Sequence, residues 1–71
     1  MSPGKIEFAW KVVVGPAMDR GTFARLDGQR LLIDTRTAAW AKEVTRSRHV
    51  ILDRLQSLLG ADAVTEIIVR V

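Results

Sequence analysis

Cysteine is absent from the 71 residues, so neither a disulfide framework nor a thiolate metal site can be built. No apolar run approaches the roughly 20 residues that a membrane span needs. The opening MSPGKIEFAW also has no uninterrupted apolar core of the signal-peptide kind. A cytoplasmic protein without membrane attachment is therefore expected. Histidine occurs once, as His49, and with Asp53 four residues on it makes at most a surface pair, too few ligands for a metal or catalytic centre. A P-loop, a GxGxxG turn and a paired-acid arrangement are all missing, and no base stands ready to activate a Ser or Thr. These absences argue against an enzyme and against any cofactor or metal.

What is present suits a small folded domain. Apolar residues make up 48% and charged residues 27%, a balance too apolar for a disordered chain. Seventy-one residues have room for one core, so residues 1–71 are read as a single domain. The net charge of +3 is unevenly placed. Between positions 36 and 48, Arg36, Lys42, Arg46 and Arg48 face the single acid Glu43, while seven bases and seven acids cancel over the other 58 residues. Basic residues gathered in this way suit a polyanion, either nucleic acid or an acidic protein surface.

Ser2-Pro3 predicts a helix start, with Ser as cap and Pro in the first turn. Ile6, Trp10, Val13 and Ala17 then recur on one helical face. Gly15-Pro16 should kink or end that helix, and Gly21 is expected as its left-handed stop. Residues 22–26 and 30–36 read as strands joined at Asp27-Gly28. In the second strand Leu31, Ile33 and Thr35 share one face, and Arg30, Leu32, Asp34 and Arg36 the other. Thr37 can cap a long helix running to Leu59, before Gly60. Residues 64–71 read as a last strand with Ile67, Val69 and Val71 inward. The pattern predicts an α+β domain, α-β-β-α-β, with a three-stranded sheet and two helices on one face. Either edge of the hairpin can take the last strand.

One stretch resists this reading. In WAKEVTRSRHVILDRL, residues 40–55, Trp40, Val44, Ile51, Leu55 and then Leu58 form a stripe, yet Arg48 falls within it and Ser47 beside it. With no Gly or Pro between Thr37 and Gly60, an unbroken helix is expected, with Arg48 laying its stem along the core and its head outward. A break at T-R-S-R would instead give α-β-β-α-α-β, the order of a type II KH domain, with T-R-S-R in the place of the GxxG loop. Trp10 and Trp40 both lie on apolar faces, so core packing is favoured over base stacking. Phe8 and Val12 lie opposite the first helix's apolar stripe, one turn apart, and form a small candidate protein contact. Leu32 and Ile68 raise the same question on the open sheet face.

Several blocks in order resemble one family. They are Trp10-Lys11-Val12-Val13-Val14-Gly15, the Asp27-Gly28 turn, Leu31-x-Ile33-x-Thr35, Trp40-Ala41-x-Glu43-Val44, and Arg54-Leu55-x-x-Leu58-Leu59-Gly60. In composition and spacing these resemble the DciA family of bacterial proteins, operators or loaders of the replicative helicase DnaB. The resemblance implies a KH-like domain that binds DNA and engages the helicase. Many family members carry a further flexible tail, and this sequence ends at Val71. The expected function is a DNA-binding helicase adaptor, with Arg36, Lys42, Arg46 and Arg48 on phosphates in a sequence-independent way, on single- or double-stranded DNA. The alternatives are a protein-interaction module without nucleic-acid binding and a KH-like domain for single-stranded RNA.

Overall fold

The structure of the chain, a computed structural model, describes residues 3–71; the expected Ser2 cap lies outside the described residues. The elements run α1 (Pro3–Val14), α2 (Pro16–Arg20), β1 (Thr22–Asp27), β2 (Arg30–Thr35), α3 (Ala38–Arg46), α4 (Arg48–Leu59) and β3 (Glu66–Arg70). This is the expected α+β class, with a three-stranded sheet and a KH-like layout. The helices pack on the sheet's inner face, α1 and α2 against β1, and α3 against β2 and β3.

The alternation in β2 sets the core. Leu31 and Ile33 are fully buried and Thr35 nearly so. Around them close Ile6, Ala9 and Trp10 from α1, Val44, Ile51 and Leu55 from α3 and α4, and Val64 and Ile67 near β3. The buried Trp10 donates its indole N–H to Thr22 Oγ1 at 2.8 Å, and that hydroxyl donates to the Met18 carbonyl at 2.7 Å. The buried polar groups of Trp10 and Thr22 are thus both satisfied, and α2 is tied to β1.

The strand order is β1-β2-β3, with β1 antiparallel and β3 parallel to β2. Both ends of β3 are fastened to the hairpin. The Gln29 carbonyl accepts the Thr65 N–H at 2.8 Å, and the Gln29 amide donates to the Asp62 carbonyl at 3.0 Å. At the far end, Thr35 Oγ1 donates to the Arg70 carbonyl at 2.9 Å. The hairpin pairs Asp27 with Arg30, so its two-residue loop is Gly28-Gln29 rather than Asp27-Gly28, and only Gly28 (φ 63°) takes a positive φ.

Several expectations need correction. The left-handed residue near the first break is Gly15 (φ 85°), while Gly21 sits at φ −90°. Gly21 is required by contact instead, since a Cβ there would overlap the indole ring of Trp40. Because the chain turns at Gly15-Pro16, Ala17 leaves the α1 stripe and is exposed. Trp40 is only half-buried, lying over Gly21 at the rim of the core. Val71 is exposed, because β3 ends at Arg70 and leaves it no neighbouring strand.

The long helix is also not continuous. It breaks at Ser47, which adopts φ −96° and ψ 7° between α3 and α4. The ladder reaches the junction through Ser47 N–H to the Glu43 carbonyl (3.1 Å) and resumes with Ile51 N–H to the Ser47 carbonyl (2.9 Å). A straight helix would bring Arg48 into line with Val44, Ile51 and Leu55, all buried. Burying a guanidinium without a partner costs several kcal/mol. Handing a few backbone groups to water at a bend costs about 1 kcal/mol each. The bend is the cheaper solution, and Arg48 is exposed. The same rotation leaves Leu58, expected on the stripe, 52% exposed.

Candidate nucleic-acid interface

The four basic residues singled out from the sequence lie on three surfaces. Lys42 and Arg46, one turn apart, project from the outward side of α3, opposite the buried Val44. Arg46 Nη1 stands 3.7 Å from Glu43 Oε1, but the Arg46 side chain is 76% exposed, so this pair is weak and leaves the guanidinium available. Arg48 opens α4 on the other side of the Ser47 bend. With Thr45 it lines a concavity of about 410 Å³ against residues 66–69 of β3. T-R-S-R therefore occupies the α3–α4 junction, with arginines on both sides of a single hinge residue.

Arg36 is elsewhere. Its backbone N–H donates to the Gly21 carbonyl at 2.9 Å, extending the β1–β2 pairing by one step. Its side chain lies on the sheet's outer face, 5.2 Å from the centroid of the Phe23 ring. Among the described residues, Arg36, Lys42 and Arg48 make no ion pair with a carboxylate. The structure thus brings Lys42 and Arg46 together, puts Arg48 close by across a bend, and separates Arg36 from them by the thickness of the sheet. The Phe23–Arg36 pair was not anticipated, although the hairpin register alone makes Phe23 and position 36 diagonal neighbours on one face.

Phe8 and Val12 are exposed, at 67% and 57%. They open onto different hollows. Phe8 shares one of about 420 Å³ with Phe23 and Lys11, between α1 and β1. Val12 shares another of about 430 Å³ with Val13, Asp53 and Leu58, between α1 and α4. His49 is exposed, and no cluster of three or more metal-ligating side chains occurs among the described residues. No helix among them is long and apolar enough to cross a membrane.

Fold and surface together define a small KH-like α+β domain whose unpaired cations include Lys42 on a helical face and Arg48 at a helix junction. The chain belongs to the DciA family: the family described as Dna[CI] antecedent, DciA, matches residues 3–69, nearly the whole chain. That family is one of replication proteins associated with loading of the DnaB-type helicase. No curated protein matches the chain.

Proposed function

We propose that this domain is a non-enzymatic adaptor that binds DNA through its phosphates and engages the replicative helicase during loading, in the bacterial cytoplasm. Lys42, Arg46 and Arg48 supply the phosphate contacts, with Arg36 contributing from the sheet side. The observation that carries the reading is the pairing of family membership with cations left free on α3 and at the Ser47 junction, where KH domains hold nucleic acid. Glycines are missing from that junction, so contact is made by side chains rather than by close backbone approach. No side chain in this cluster is arranged to read a base edge, and binding is sequence-independent.

Neutralising three or four phosphates gives a log–log salt slope of about −2 to −4. Replacing Arg46 and Arg48 together by Ala should flatten the slope by about 2. An unchanged slope would remove both from the interface. In the competing reading, the basic face docks on an acidic patch of the helicase and touches no DNA. Helicase capture that survives in an Arg46/Arg48 variant devoid of DNA binding separates the two roles.

A further inference from the structure

Among the described residues no helix covers the sheet's outer face, and its charges are sorted along the strands. Toward the hairpin turn, Arg30 lies 3.9 Å from Glu66, and Asp27 adds a further acid. Toward the other end, Asp34 is held by Arg70 at 3.0 Å, which cancels both. That leaves Arg25 and Arg36, neither paired with a carboxylate among the described residues, on either side of Phe23. Arg25 is one pleat repeat, about 7 Å, along β1 from Phe23 on the same face. Arg36 lies over the ring, and the ring remains 60% exposed. The half-buried Leu32 and Ile68 form the floor beside this group.

We propose that this end of the open sheet is a second binding surface, specific for single-stranded DNA. One unpaired base stacks on the Phe23–Arg36 platform, and the guanidinium groups of Arg25 and Arg36 contact the flanking phosphates. The proposal rests on the nucleic-acid reading above but uses a different surface from the α3–α4 junction. An exposed aromatic ring between two free cations matches the alternation of flat base and anionic phosphate along a single strand. Duplex DNA keeps its bases stacked on each other and offers the ring nothing. An acidic peptide would use the cations and leave the ring idle.

The test is binding of the 71-residue chain to fluorescein-labelled oligo-dT, and to a duplex of equal length, across a salt series. Phe23→Ala should weaken oligo-dT binding about fivefold or more, the lower bound for one stacked base, without altering the salt slope. It should leave duplex binding unchanged. Arg25→Gln with Arg36→Gln should flatten the single-strand slope by about 1.4. Phe23→Leu keeps the apolar volume and removes the ring, so it guards against damage to β1; it should behave like the Ala variant.

Oligo-dT affinity within twofold of the parent in Phe23→Ala, or a Leu variant equal to the parent, overturns the proposal. So does an equal loss on duplex, or Phe23-dependent capture of a polyglutamate peptide in place of oligo-dT. If Arg46→Ala/Arg48→Ala abolishes binding while Phe23→Ala stays within twofold of the parent, the sheet surface falls and the adaptor reading stands. A parent chain that binds no DNA removes both.

Discussion

Gly21→Ala adds one methyl group, and the structure assigns it a definite cost. At φ −90° and ψ 0° the backbone of Gly21 has a negative φ that L-residues adopt, so Ala meets no left-handed strain there. Taken alone, the change should stabilise by about 0.4–1 kcal/mol, through lost freedom of the unfolded chain. The contact acts the other way. A Cβ at this position falls 2.6 Å from Cε2 of Trp40 and closer still to Nε1. The indole is half-buried at the start of α3 and must swing out or push α3 off the sheet. Overpacking of this kind costs about 1–3 kcal/mol. We expect Gly21→Ala to destabilise by about 1–2 kcal/mol net in urea unfolding, with the midpoint lower and the m-value unchanged. The decisive measurement is the double-mutant cycle with Trp40→Ala. In that background the clash is gone, and Gly21→Ala should become neutral or stabilising. If it destabilises equally with and without the indole, contact with Trp40 is not the reason for glycine, and the packing argument fails.

Other outcomes follow from the same geometry. Thr22→Val leaves the buried Trp10 N–H without an acceptor, which should cost about 2 kcal/mol and lower Tm by roughly 8–16 °C; Thr22→Ser keeps the hydroxyl and should lose less than half of that. Reversing the half-exposed Arg70–Asp34 pair, as Arg70→Asp with Asp34→Arg, should change stability by less than about 1 kcal/mol, judged by urea midpoint. Phe8→Ser and Val12→Ser should each stay within about 0.5 kcal/mol of the parent, because both side chains are already in water. Any loss of helicase capture in those two variants then reports contact rather than unfolding. Arg48→Leu removes the charge that a straight helix would bury, so circular dichroism at 222 nm should show equal or greater helicity; a loss would refute the account of the Ser47 bend.

The parts of the fold that could be read in advance were those set by local periodicity. Leu31, Ile33 and Thr35 alternate, and they are buried as a set. Thr37 caps α3, its hydroxyl accepting the Trp40 N–H at 3.2 Å, as its place before an amphipathic run indicates. The break at Ser47 was not legible from breaker residues, because no breaker is there. It was legible in the stripe itself, in the one guanidinium among core positions, but weighing that against helix continuity required knowing that Val44, Ile51 and Leu55 are all fully packed. The position of β3 was hidden for a similar reason. It depends on Gln29 and Thr35 reaching residues more than 30 positions away, and neither partner carries a local signal.

The basic stretch shows a different limit. Counting charge along residues 36–48 treats neighbours in sequence as neighbours in space. That holds within α3, where Lys42 and Arg46 follow the helical repeat onto one side. It fails at Arg36, because the strand alternation that buries Thr35 must turn position 36 to the opposite face of the sheet. Once there, Arg36 belongs with Phe23 and Arg25, residues of another strand that contribute nothing to the charge excess of the 36–48 window. A cation's partners are thus decided by the periodicity of the element that carries it, two in a strand and 3.6 in a helix. A surplus that crosses from one element to the other is split between separate surfaces, and each surface has to be tested with its own substitutions.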